Sequence, residues 1–467
     1  MGPIPPVRFL RLRAFVVAEV NAQDWSPRPS GEWGQPCSKG KLAWRWGSVD
    51  TGTLFPRSDA PDEEDTLRDR SDESMGRAAS GADMLALAER FAPQIEALAG
   101  ETEARREMAP GVYRILVDHG FYRMLLPRHV GGLELPPSQF APVVGRIAQA
   151  DASTAWCLGQ TSGCAMAGAF LPPETAAEIF GPKDAVLAWG AGPKGKAVEV
   201  DGGYEATGMW MFASGSRQAN WLGAHIPVFA ADGTPRQHPD GKPLVRTLLF
   251  PRTAAKITDV WHVMGLKGTG SDNYSVERLF VPTNRTFVWD GVPHPSQTAL
   301  LYRYPITLVY AAGFASVAMG VARGLLDAFI DLARNKVPHN AKDTLRDSPV
   351  VQMHVAQAEA KWRSIQMYLA RTLEQIEAAI VRDKQSALTP DQRMQVRMAA
   401  TYCIHQAKEV ADIVYRAAGS TAIFENQSFE RRFRDLHAVT QQMQGRLSHF
   451  ETVGQFLLGL NDNPSFH

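Results

Sequence analysis

Apolar side chains recur at helical spacing from Ala82 onward, with Leu85, Ala88, Phe91, Ile95 and Leu98 on one face and charges between them. The pattern stays helical to about residue 180. It predicts helices over PGVYRILVDHGFYRML, which ends before Pro127 and the turn-forming Gly131-Gly132, and over SQFAPVVGRIAQADASTAWCLGQ. Between about 185 and 295 the texture changes to short runs such as AVEV, YEATGMWMFAS, WLGAHIPVFA, VRTLLF and YSVERLFVP, separated by DGG, ADG, PDGK and GTGSDN. Strand and turn residues in that arrangement predict a β domain. After Pro305 long helical periodicity returns in three stretches, through YAAGFASVAMGVARGLLDAFIDLARNK, SPVVQMHVAQAEAKWRSIQMYLARTLEQIEAAIVRDK and PDQRMQVRMAATYCIHQAKEVADIVYRAAG. A fourth run covers about 430 to 459, and four such stretches with short connections predict a helix bundle. The expected class is α+β: a helical domain over 82–184, a middle β-barrel or sandwich over 185–295, and a C-terminal four-helix bundle over 296–467.

Residues 1–80 break the pattern. They are rich in Pro, Gly, Arg and acidic runs without sustained periodicity, which predicts a disordered extension. Its basic start and the apolar AFVVAEV resemble a signal peptide only loosely, since the apolar core is short and holds a glutamate. An alternative is that translation begins at Met75 or Met84.

Composition narrows the function. The 467 residues allow two or three domains, and 49 basic against 49 acidic side chains give no reason to expect nucleic acid as a partner. The apolar stretch Ile306 to Met319 is interrupted by Gly and Ser and is shorter than the ~18 to 20 residues that span a bilayer, so no membrane association is expected. Four cysteines without CxxC or metal-ligand spacing fit a reducing cytoplasm, and the twelve histidines include no HExxH, so no metal is expected.

Ordered motifs then give a resemblance. PRHVGG is similar to the Pro-x-x-x-Gly-Gly turn of the acyl-CoA dehydrogenase superfamily, and DASTAW to the opening of its central N-terminal helix. GYEATGMWMFASGSRQANW resembles the segment whose strand lies along the flavin ring. MGLKGTGSDNYSVERLFVP resembles its Met-Gly to Val-Pro segment, and AAGSTAIFENQSFERRFRDLH its Gly-rich turn followed by Arg-Asp. The resemblance covers about 83 to 460 and implies a flavoenzyme using FAD or FMN, assembled as a homotetramer. A dehydrogenase of that superfamily needs a carboxylate beside the flavin to take a carbon-bound proton. Here Met443 and Gln444 stand where one such glutamate falls, and Leu301 to Ile330 contains none. STAW, GMWMFASGS and GLKGTGS are instead similar to the two-component monooxygenase branch. In that branch a separate reductase delivers reduced flavin, and oxygen is transferred from O2 to an aromatic or polycyclic small molecule. A flavin dehydrogenase or oxidase with an unconventional base is the alternative, and a catalytically silent scaffold a third.

The resemblance implies roles for particular residues. His437 and Ser214 are the candidate polar catalytic groups, and Trp156, Phe212, Ser214, Gly215, Thr269, Ser271, Arg334, Gly419 and Ser420 the candidate flavin contacts. Each has a plainer reading. His437, three residues after Arg434 and on the same helix face, is either an acid–base group or a hydrated surface histidine. Ser214 lies either at the flavin N5 or O4 edge or in a polar turn, with Gly215 allowing close approach. GLKGTGS is either the active-site mouth or a surface loop, and Trp156 and Trp210 are either pocket walls or core. Arg334, at a helix C-terminus that favours a cation, and Gly419-Ser420 are candidates for the flavin phosphates across a subunit interface. Arg434 and Asp435 are expected to form a structural ion pair. Arg217-Gln218 and Gln441-Gln442 stand where relatives often carry histidines, which departs from the hydroxylase pattern.

Overall fold

A computed structural model describes residues 79–464 apart from 289, 290, 292 and 295. The expected extension at 1–80 therefore lies outside the described residues except for its last two. Ser80 starts the first helix with a reciprocal cap, its hydroxyl accepting from the Asp83 N–H while the Asp83 carboxylate takes the Ser80 N–H at 2.7 Å.

Six helices follow: α1 (Gly81–Ala97), α2 (Ala99–Arg105), α3 (Pro110–Asp118), α4 (Pro137–Ala150), α5 (Ala152–Ala165) and α6 (Pro173–Phe180). Helical periodicity runs unbroken across 138–160, yet the chain turns between α4 and α5. Asp151 leaves helical geometry there, and its carboxylate accepts the Thr154 N–H at 2.7 Å as an N-cap. Every residue of α5 except Gln160 is buried, so α5 forms the centre of this part.

The strands are β1 (Leu187–Trp189), β2 (Ala191–Val200), β3 (Gly203–Ala213), β4 (Trp221–Phe229), β5 (Val245–Pro251), β6 (Lys256–Thr258), β7 (Asp272–Pro282) and β8 (Thr286–Val288). They run in the order β6-β7-β3-β2-β4-β5-β8, with β1 added parallel to β4. One pairing matters most for function. β3 and β7 are antiparallel with Ala213 opposite Asp272, so the residues just after β3 meet the residues just before β7.

The last part contains α7 (Ile306–Asn335), α8 (Pro349–Asp383), α9 (Pro390–Ala418), α10 (Ser428–Val439) and α11 (Ser448–Leu457). By length and composition α7 is apolar enough to cross a membrane, but 83% of its most apolar window is buried. It packs against α4, α5, α8, α9 and α10, which accounts for its composition. The single run expected over 430–459 is two helices. Between them the Gln442 side chain caps the Gln444 N–H at 2.7 Å, and a Cβ on Gly445 would sit 2.8 Å from the Thr440 carbonyl oxygen.

Candidate active site

The β3–β7 register brings four of the expected residues into one chain of hydrogen bonds. Ser214 follows β3, Thr269 and Ser271 precede β7, and Trp156 comes from α5. Trp156 Nε1 donates to Ser214 Oγ at 3.0 Å, Ser214 and Ser271 hydroxyls lie 2.6 Å apart, and Ser271 and Thr269 hydroxyls 2.7 Å. Thr269 Oγ1 then donates to the Leu266 carbonyl at 2.8 Å. All four side chains are buried. Gly215, at φ 78°, donates its N–H to the Thr269 carbonyl at 3.2 Å, and a Cβ there would stand 2.8 Å from Thr161 Cγ2. Its freedom from a side chain thus seats the turn on α5.

Beside this buried chain is an open apolar lip. Phe212 adopts φ 59°, a region a bulky residue rarely occupies, and the residue is 59% exposed. It meets Trp261 edge-on at 6.1 Å, with Val260 and Met264 exposed close by in sequence. On the α5 side Trp156 stacks on Phe314 of α7 at 4.1 Å, and Phe314 on Tyr310 at 5.8 Å. Trp210 is core, fully buried and stacked on Tyr274 at 5.3 Å.

The Gly-rich loop is fastened from several sides. Asp435 accepts the Leu266 N–H at 2.6 Å, and Arg434 donates to the Met264 carbonyl at 2.5 Å. Lys267 pairs with Glu103 at 3.2 Å, and Arg217 with Asp272 at 2.8 Å. Arg106 and Arg217 both hold Asp259, at 2.6 and 3.3 Å. The ion pair expected between Arg434 and Asp435 is not what forms. Consecutive helix positions face different ways, so Arg434 pairs with Glu430 and Glu103 while Asp435 turns to Leu266. Burial, reinforced by Asp151 and Glu103, pushes the Asp435 carboxyl up to about 7 against the opposing pull of the Leu266 N–H and Arg434. Gln218 Oε1 and Ser216 Oγ are buried without a hydrogen-bond partner among the described residues.

The remaining candidates stand elsewhere. His437 faces α9, with Nδ1 3.1 Å from the Phe433 carbonyl, Nε2 3.4 Å from Asp412, and its ring 4.1 Å from Phe433. Burial lowers its pKa, and Asp412 works the other way. No hydrogen bond or ring contact joins it to the hydroxyl chain among the described residues. Arg334 is exposed at the end of α7 and pairs with Asp331 at 2.8 Å. Gly419 and Ser420 are exposed where α9 ends, and Lys336 reaches that turn through the Ala418 carbonyl at 3.1 Å and the Thr421 hydroxyl at 2.6 Å. At the position of the absent base, Gln444 is buried and accepts from Arg397. A separate open cavity of about 690 Å³, lined by Arg128, His129, Glu134, Pro173 and residues 296–300, includes none of the candidates.

Sequence reasoning missed Asp435 as the anchor of Leu266, and Asp259 as the junction of Arg106 and Arg217. The only signal was spacing: an acidic residue beside Arg434 at the start of a helix face, and an arginine at 217 where a histidine was expected.

Comparison with known proteins gives the family of the chain. A family model described as acyl-CoA dehydrogenase, C-terminal domain, matches residues 312–444. The chain is 31% identical over 370 residues to indole-3-acetate monooxygenase of Pseudomonas putida, across 79% of this chain and 91% of the relative. It is 27% identical over 359 residues to the flavin-dependent monooxygenase oxygenase subunit HsaA of Rhodococcus jostii (strain RHA1), across 74% and 90%. The crystal structure of 3-HSA hydroxylase from Rhodococcus sp. RHA1 matches with a TM-score of 0.74 at 25% identity, over 82% of this chain and 98% of that one.

Proposed function

The chain belongs to the flavin-dependent monooxygenases of the acyl-CoA dehydrogenase superfamily, and from that premise we propose that its reaction centre is the surface around Ser214. It is a flavin-dependent oxidoreductase, the oxygenase of a two-component system acting on an aromatic or polycyclic small molecule. Reduced FMN or FAD supplies two electrons to O2, so that one oxygen atom enters the substrate and the other leaves as water.

The observation that carries the placement is the buried hydroxyl chain ending at Ser214, next to the exposed Phe212 and the half-buried Trp261 it meets. A flat, apolar ring with a polar edge fits such a surface, its face on the aromatic lip and its edge toward Ser214. Trp156 and Phe314 support that edge from behind. The loop fastened by Asp435, Arg434 and Arg217 holds the hydroxyls in place and keeps bulk water from them. The carboxylates around the hydroxyl chain are all engaged. Asp435 holds Leu266, Asp151 caps α5, Glu103 pairs with Arg434 and Lys267, and Asp272 with Arg217. That supports oxygenation over α,β-dehydrogenation, which requires a carboxylate base.

Arg334, Gly419 and Ser420 are read as phosphate contacts. Phe314 sits beside the hydroxyl chain, and from residue 314 to residue 334 α7 rises about 30 Å. One cofactor would then be shared between subunits, in line with a homotetramer. A flavin reductase is the transient partner, and the cytoplasm the expected compartment. His437 is the candidate acid–base group for the same shared site.

The test is to mix purified protein anaerobically with FMNH2 or FADH2 and an aromatic panel including indole-3-acetate and resorcinol, then admit isotopically labelled O2. A product carrying one labelled oxygen supports the reading. Copurified oxidised FAD bleached by an acyl-CoA, with no labelled product, overturns it.

A further inference from the structure

The hydroxyl chain has a direction that its chemistry fixes. Leu266 O is a carbonyl and can only accept, so the Thr269 hydroxyl proton lies on the 2.8 Å contact between them. Thr269 Oγ1 is then an acceptor toward Ser271, and the Ser271 proton lies on their 2.7 Å contact. By the same step the Ser214 proton lies on the 2.6 Å contact with Ser271. At the other end, the Trp156 indole N–H can only donate, and it fills one lone pair of Ser214 at 3.0 Å. The order is therefore Trp156 to Ser214 to Ser271 to Thr269 to Leu266. Ser214 Oγ is left with one lone pair and no proton to offer.

The far end cannot turn easily. Leu266 sits at φ 55° with its N–H held by Asp435, and its carbonyl also receives the Trp261 indole N–H at 2.9 Å. Reversing the three hydroxyls would leave Thr269 Oγ1 and Leu266 O facing each other with lone pairs only.

This polarity discriminates between the two redox states of a flavin. Reduced flavin carries a hydrogen on N5 and donates there, whereas oxidised flavin has only a lone pair on N5 and accepts. We propose that Thr269 and Ser271 make the site select reduced over oxidised flavin, by locking Ser214 Oγ as a hydrogen-bond acceptor toward N5. The proposal rests on the reading that Ser214 lies at the flavin N5 edge. Thr269 and Ser271 act through Ser214 and are positioning residues.

The test compares dissociation constants of the full-length protein for FMNH2 or FADH2, measured anaerobically, with those for the oxidised forms. Thr269→Val removes the acceptor of the Ser271 proton, and Ser271→Ala the acceptor of the Ser214 proton. Either change frees the Ser214 proton to point at N5. Each should shrink the preference for reduced flavin by about three- to tenfold, the worth of one neutral hydrogen bond, mainly through tighter binding of oxidised flavin. Thr269→Ser keeps the hydroxyl and should restore the wild-type ratio. An unchanged ratio in folded Thr269→Val or Ser271→Ala, or equal weakening of both redox states, overturns the proposal. Ser214→Ala separates the underlying reading: if it leaves both affinities unaltered, Ser214 does not face the flavin at all.

Discussion

The two ends of α7 meet the candidate cofactor residues in opposite environments. Near its start, Phe314 backs onto Trp156 and a chain of buried hydroxyls in which every proton has a partner. Near its finish, Arg334 is exposed and, among the described residues, held only by a surface pair with Asp331, with the open Gly419-Ser420 turn at the end of α9. The first end is assembled within one chain, with its hydroxyls already hydrogen-bonded to one another. The second has the residues for an anion but no enclosure. Such a difference is expected where one end must discriminate by hydrogen-bond geometry and the other contributes charge to a ligand seated largely on another subunit.

The largest expected effect comes from damaging the first end at Gly265. A Cβ there would stand 2.2 Å from the Arg434 carbonyl oxygen and 2.8 Å from the Asp435 nitrogen, both backbone atoms with little room to yield. Gly265→Ala should cost about 3 kcal/mol of stability and detach Leu266 from Asp435, read as a lowered unfolding midpoint in urea together with loss of flavin binding. A variant as stable as wild type would mean that the loop is not rigid and that the contrast between the ends is false.

Much of this contrast is visible in the sequence, and the part that is not has physical causes. Helical spacing before 180 and after 305, and strand-and-turn texture between them, give the α, β, α order because each element buries one face at its own period. The resemblance of their segments to the flavin family marks Trp156, Ser214, Thr269 and Ser271 as candidates. Their union depends on the Ala213 to Asp272 register between strands far apart in the chain, which no local pattern encodes. His437 and Arg434 show the limit of face arithmetic. Three positions leave them about 60° apart on a helix, and because α10 is wedged between the loop and α9, that angle sends Arg434 to Met264 and His437 to Asp412. The fourth bundle run failed as one helix because a tight turn at Gly445, not a change of polarity, interrupts it.

A smaller effect sharpens the first end without breaking it. In the fold the Asp435 carboxyl stands at about 7, above the ordinary carboxylate value near ~3.9 that it regains on unfolding. The stability it contributes is present below about pH 4, where both states hold the proton, and is lost as pH rises through about 7. Asp435→Asn retains an oxygen for the Leu266 N–H and removes the titration. Its stability relative to wild type should therefore increase by about 2 kcal/mol between about pH 5.5 and about pH 8, measured by urea unfolding at the two pH values. Parallel profiles would show that Asp435 does not hold a proton in the folded protein.

The smallest effect belongs to the exposed end. Among the described residues Arg334 pairs only with Asp331, at 2.8 Å and largely in solvent, so Arg334→Ala should change stability by no more than about 0.5 kcal/mol. As a phosphate contact it should still weaken FMN or FAD binding about five- to tenfold, with the effect shrinking as salt is raised. It should also leave the ratio of reduced to oxidised affinity unchanged, because an arginine acting as a phosphate contact would meet the phosphate and not the ring. A mixed assembly gives the sharper form of the measurement. If one flavin spans two subunits, combining Arg334→Ala chains with Ser214→Ala chains should restore some sites with both residues intact and leave others with both lost. Binding would then separate into strong and weak classes, whereas cofactors bound wholly within single chains would leave every site with one of the two defects and no strong class.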